Sequence, residues 1–150
     1  MNPIAAYGRF EARLSDLTWL QALALLAARL TVAKFFFFSG LTKIASWTTT
    51  VALFHDEYKV PVLPPELAAC LSATAELSLP VLLLLGLMTR FAAAGLFVMT
   101  LVIAVFVYPE AAENQFILTT AALLIAFGSG RIGADDWLTR RITASGAGGL

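Results

Sequence analysis

Apolar residues in this chain come in long unbroken runs rather than in the three-and-four spacing of a half-buried helix. A helix that crosses a bilayer needs about 20 mostly apolar residues. The first such run is Trp19 to Leu41, interrupted by Arg29 and Lys34. The second, Glu66 to Met88, holds one inner charge, Glu76, and the third, Phe91 to Tyr108, holds none. The fourth has an apolar core of only 12 residues, Phe116 to Phe127. It reaches spanning length by taking in Asn114, Gln115 and Gly128-Ser129-Gly130. The pattern predicts an all-α fold: an integral membrane four-helix antiparallel bundle forming a single domain. Its spans lie near 19–41, 66–88, 91–108 and 112–130, followed by a tail over 131–150.

The connections agree with a bundle. Met88-Thr89-Arg90 is a tight turn, so spans two and three are antiparallel neighbours. Pro109 stops span three. Ala92-Ala93-Ala94-Gly95 offers a small face for close helix approach. The long connection runs from Thr42 to Pro65, and within it Trp47, Val51, Phe54 and Tyr58 recur at spacings of 4, 3 and 4. That is one face of a helix. An aromatic-rich amphipathic helix between spans one and two lies in the membrane interface. Pro61, Pro64 and Pro65 then break the chain before span two.

Composition narrows the classes. Of the 150 residues 59% are apolar and 13% charged, against about 45–50% and about 25% in soluble domains. Mean hydropathy is +0.82. Such a chain has too little polar surface to cover a soluble core. Ten basic and ten acidic residues cancel, which leaves no basic excess for nucleic acid. One cysteine, Cys70, and one histidine, His55, provide neither a thiolate cluster nor bis-histidine ligation within one chain, so no metal site and no intrinsic cofactor is expected. Cys70 reads as a small packing residue.

Orientation follows from Lys and Arg in the short connections. Arg9, Arg13, Arg90, Arg131, Arg140 and Arg141 fall on one side, and Lys43 and Lys59 on the other. Both termini are therefore expected in the cytoplasm, with the first run an uncleaved span.

Charge inside a span costs on the order of 2.5–3.5 kcal/mol and calls for a partner. Centring each span on its own midpoint puts Arg29 and Glu76 at one depth on antiparallel helices, which predicts an ion pair. Lys34 lies about 7.5 Å further along and about 140° around the helix, as a reserve partner. Pro80 removes the donor that the Glu76 carbonyl would otherwise have. Arg29, Lys34 and Glu76 thus form the candidate intramembrane polar site, with either a functional or a purely structural role.

Several segments together carry a family likeness. They are Arg29 with Phe38-Ser39-Gly40-Leu41-Thr42-Lys43, the stretch Leu53 to Glu66, Glu76 with Leu84 to Arg90, and Gly128-Ser129-Gly130-Arg131 with Asp135 beyond. In these the chain resembles the DoxX family of small four-helix membrane proteins. It departs at Ser129, where the family often has proline, at Gly133, where it often has serine, and at Asn114, where close relatives often carry histidine. The resemblance implies a bacterial inner-membrane location and a link to quinone, redox or oxidative-stress chemistry. It adds Lys43 and Arg90 as secondary candidates. Three functions compete: a redox subunit that binds quinone and takes electrons from a soluble or membrane partner protein, a non-catalytic anchor or assembly factor, and a small proton or solute pathway. A homo-oligomer is compatible with each.

Overall fold

The computed structural model describes residues 18–58 and 63–146. Arg9, Arg13, Lys59, Pro61 and the last four residues lie outside the described residues. The described chain is built from helices: α1 (Thr18–Ala45), α2 (Trp47–Leu53), a π-helical turn (Phe54–Tyr58), α3 (Pro65–Leu85), α4 (Thr89–Phe106), α5 (Ala112–Phe127) and α6 (Ala134–Gly146). α1, α3 and α4 are long and apolar enough to cross a membrane. α5 is apolar but has 16 residues, about 24 Å at 1.5 Å per residue, short of the ~30 Å hydrocarbon core.

α1 packs on α3, α3 on α4, α4 on α5, and α5 back on α1. Their shared core holds Val32, Phe36, Leu83, Leu96, Ile117 and Leu124, none more than 2% exposed. Ala92 and Ala93 are fully buried, so the small face of α4 serves close packing as its composition suggests. The large apolar residues left exposed, among them Phe38, Phe91, Val98 and Phe116, point away from this core.

α1 has a single buried stripe: Ala22, Leu25, Arg29, Val32, Phe36, Gly40 and, at the margin, Lys43. Steps of three and four residues keep these side chains on one face. The matching stripe on α3 is Ala69, Ala73, Glu76, Pro80 and Leu83. Gly40 sets the level of one against the other. A Cβ placed there would sit 2.9 Å from Leu77 Cγ and 3.1 Å from Glu76 Cβ.

That register corrects the expected depths. Glu76 lies level with Gly40, eleven residues or about 16 Å along α1 from Arg29. α1 runs on to Ala45, four residues past the expected end, and only its second half faces α3. Its first turns continue beyond α3, where Ala22 and Leu25 contact Gly130. Centring two helices on their midpoints fails when one overhangs the other.

The long connection forms the expected short helix but turns its aromatic face inward, and the tail is helical. Phe54 is buried against Ala68 and Ala69, and Tyr58 and Val51 pack on the same cluster. The aromatic face of the α2 segment therefore covers the bundle instead of lying open to lipid, and only Trp47 stays exposed. The tail contains α6, with Asp135 and Asp136 in its first turn, where the helix dipole favours carboxylates. Cys70 is exposed rather than packed.

α3 ends at Gly86 (φ +66°), whose neighbour Leu87 donates to Leu82 O. This is the Schellman stop that glycine favours. A Cβ on Gly86 would come within 2.6 Å of the Gly133 backbone and 3.0 Å of Arg29 Nη1. Gly86→Ala is expected to cost at least about 1–2 kcal/mol from its left-handed backbone alone. Gly95→Ala meets only the flexible end of Leu79 and should cost much less. Thermal unfolding of the two variants in detergent checks the order.

Candidate functional site

Two polar sites lie along the buried α1 stripe, one at Arg29 and one at Lys43. Arg29 is 2% exposed and makes no bond to Glu76. Its Nε donates to Leu83 O at 2.9 Å and its Nη2 to Leu84 O at 3.1 Å. Nη1 donates to Ser129 O at 3.0 Å and also to Ile132 O. Carbonyls in the last turn of a helix have no intrahelical donor and carry the negative end of its dipole. Arg29 supplies both donors and charge, tying the end of α3 to the turn after α5.

Asp135 completes this end. Its carboxylate accepts from the backbone N–H groups of Met88 at 2.7 Å and Thr89 at 2.9 Å, and its own N–H donates to Gly86 O at 2.9 Å. It thereby caps the start of α4 across the chain. Arg90 donates to Ala126 O at 3.2 Å and belongs to this end as well. Ser129 and Gly133, in the turn between α5 and α6, lie against each other. A Cβ on Gly133 would fall 2.4 Å from that of Ser129 and 3.2 Å from Arg29 Nη1. Glycine at 133 is what lets this turn close around the guanidinium.

Glu76 has a different partner. Lys43 Nζ contacts Oε2 at 2.7 Å and Oε1 at 2.9 Å, and Ser72 donates to Oε1 at 3.2 Å. Lys43 also donates to Ser39 Oγ at 3.0 Å, and the Lys43 carbonyl accepts from Thr50 Oγ1 at 3.1 Å. Glu76 is 1% exposed at the middle of the 21-residue α3. Side chains on a helix lean toward its N-terminus, so Lys43 reaches back toward the level of Gly40. The predicted Arg29–Glu76 pair is thus replaced by Lys43–Glu76. Lys34 is exposed on another face of α1 and joins neither site, as its 140° offset from Arg29 dictates. Of the sequence candidates, the structure unites Lys43 with Glu76 and places Arg29 and Arg90 at the opposite end.

The Lys43–Glu76 pair lines a cavity of about 520 Å³ between α1, α3, α4, α5 and the π turn. Phe35, Phe36, Phe54 and Met99 give it apolar walls, and Tyr58, Tyr108 and Asn114 give it polar ones. Asn114 donates to Tyr108 O at 2.7 Å. Tyr108 donates to Glu57 Oε1 at 3.2 Å, and the Tyr58 and Tyr108 rings meet edge-on at 6.2 Å. Burial, with a hydrogen bond to Tyr108 and the fields of nearby carboxylates, pushes the Tyr58 phenol up to about 12. It therefore keeps its proton at any physiological pH. Sequence reading missed both tyrosines as members of the site. The sequence pattern sets Tyr58 on the interfacial face, and Tyr108 is 50 residues away in sequence.

Three membrane-length apolar helices among the described residues, with the Lys43–Glu76 ion pair between two of them, define a multi-pass membrane protein. The sequence pattern of the DoxX family matches residues 24–109, more than half of the chain, and the protein belongs to that family. Comparison with curated proteins and with solved structures gives no match. The matched segment contains Arg29, Lys43, Glu76, Tyr58 and Tyr108, and stops before Asn114, Ser129 and α6.

A double-mutant cycle separates the two networks. Glu76→Gln leaves the Lys43 ammonium without its counter-charge and should cost about 3–5 kcal/mol. Adding Lys43→Gln should return much of that loss. Arg29→Gln combined with Glu76→Gln should instead be additive to within about 0.5 kcal/mol. Unfolding free energies of the single and double variants measure both couplings. A coupling for Arg29–Glu76 larger than that for Lys43–Glu76 would contradict the structure.

Proposed function

We propose that this DoxX-family protein is a membrane subunit of a redox complex that binds quinone or another lipophilic carrier in the Lys43–Glu76 cavity. One observation carries the reading: an apolar, aromatic-walled space of about 520 Å³ with an ammonium–carboxylate pair on its wall. Binding sites for small molecules typically enclose ~300–1,000 Å³, mostly apolar with a few placed polar groups. Lys43 can donate to a carrier carbonyl. Glu76 can take or return a proton when the carrier changes its protonation. In this reading electrons come from a partner protein.

In this reading all four apolar helices span the bilayer as an antiparallel bundle in the bacterial inner membrane. Arg90 and Arg131 lie at the Arg29 end, with Arg141 on α6 beyond, and this excess of basic residues supports a cytoplasmic Arg29 end and an outer α2 segment. A reporter fused after Leu150 is then active only in the cytoplasm, and a cysteine introduced at Trp47 reacts with an impermeant thiol reagent from outside. The reverse labelling pattern contradicts the orientation.

Photolabelling tests the cavity. A photoreactive short-chain quinone, applied to the purified protein in nanodiscs, should label peptides containing Phe35, Tyr58 or Met99. Unlabelled quinone should compete. Lys43→Gln should weaken labelling at least tenfold, while the exposed Lys34→Gln should leave it unchanged. Labelling spread over the outer surface and indifferent to Lys43 would remove the carrier-binding role. The anchoring alternative would then rest on α6, whose Trp137 and Leu138 are exposed beside Arg141.

A further inference from the structure

Glu76 has unequal surroundings on its two sides. Toward Arg29 the bundle is shut. Val32, Phe36, Pro80, Leu83 and Leu124 are each 2% exposed or less, and the buried hydroxyl of Thr120, between Ile117 and Leu124 on α5, is taken up by Phe116 O of its own helix at 2.7 Å. A proton cannot cross close-packed hydrocarbon without a chain of hydrogen-bonding groups. Toward the π turn the cavity continues from Glu76 to Tyr58 and Tyr108, both on its wall. Tyr108 is hydrogen-bonded at 3.2 Å to Glu57, an exposed carboxylate.

We propose that Glu76 exchanges its proton with water on one face of the membrane only, the face of the π turn, through Tyr58 and Tyr108 to Glu57. A phenol hydroxyl donates and accepts at once, so each tyrosine passes a proton on without ionising. The high proton affinity of Tyr58 suits that role, because the relay never stalls as a phenolate. The space between Tyr58 and Glu76 lies within a partly polar cavity roomy enough for bridging water. The step is an acid–base exchange alone: Glu76 carboxylate gains a proton as water at Glu57 yields one, and no electron moves. Lys43 from α1 and Ser72 from α3 hold the carboxylate, and Tyr58 from the π turn, Thr100 from α4 and Glu113 from α5 line the same cavity. Protonating Glu76 therefore frees the Lys43 ammonium. The inference rests on the carrier-site reading for its purpose, since it fixes the side on which the carrier's protons are exchanged.

Infrared spectroscopy of the protein oriented in proteoliposomes tests this without any carrier. The Glu76 carboxyl band is identified by its loss in Glu76→Gln. A downward pH jump on the π-turn face should raise the band quickly, and the same jump on the Arg29 face should raise it at least tenfold more slowly. Tyr58→Phe with Tyr108→Phe keeps both rings and should slow the fast response at least tenfold. Glu57→Gln, at an exposed position that should not disturb folding, should slow it severalfold and decides the matter if the double variant unfolds. Equal responses from both faces, no response from either, or an unchanged rate in the folded double variant would overturn the route. Quinone labelling is scored separately. A protein that shows the one-sided response but binds no quinone loses the carrier reading and keeps the route, and the converse result does the opposite.

Discussion

Glu76 sits at the centre of an apolar helix with 1% of its surface exposed, and a carboxylate in that position stays charged only if a cation is brought to it. The cation comes from Lys43, near the far end of α1. To deliver it, α1 must run past the level of Glu76 by a turn, because its lysine side chain leans back toward the helix start. Gly40 permits this by letting α1 pass within contact of Leu77 and the Glu76 Cβ. Once that register is set, the first half of α1 overhangs α3, and Arg29 arrives where helix ends leave carbonyls without donors. The two sites are consequences of one register rather than two independent arrangements.

Their chemistry differs accordingly. Arg29 is saturated by backbone carbonyls from two segments, with Asp135 near, and its guanidinium leaves little capacity for a ligand. It behaves as a clasp that holds α3, α5 and the start of α6 together. Lys43 and Glu76 border open volume, and their hydrogen-bonding groups face a cavity. Satisfied polar groups in close packing specify structure, whereas the same groups beside a cavity are available for chemistry. The aromatic segment that covers the bundle contributes to that second role, since Phe54 seals the wall and Tyr58 lends it a hydroxyl.

Three positions beyond the matched segment, Asn114, Ser129 and Gly133, fall into the same division. Ser129 and Gly133 meet at the clasp, where the serine carbonyl accepts from Arg29 and the glycine makes room for it. Asn114 lies on the cavity wall and spends its amide on the Tyr108 carbonyl, which fixes the end of α4 beside the tyrosine that reaches Glu57. An amide in this place positions a backbone rather than exchanging a proton.

Much of this protein is written in its linear order. The length and purity of the apolar runs identify the helices able to span a membrane, because a bilayer accepts little else. The cost of buried charge marks Arg29 and Glu76 as residues that need partners, and the helical period already separates Lys34 from Arg29 by face. That same period puts Arg29 and Lys43 on one stripe, fourteen residues apart, a signal available in the sequence. What the linear order leaves open is the axial register of one helix against another, since apolar surfaces slide without changing the hydrophobic pattern. Only the tertiary structure decides it, through the close approach at Gly40, the Schellman stop at Gly86 and the turn that closes on Arg29. Partner choice follows from that register, which is why Lys43 and not Arg29 meets Glu76, and why Tyr58 and Tyr108 share a cavity that neither of their own segments reveals.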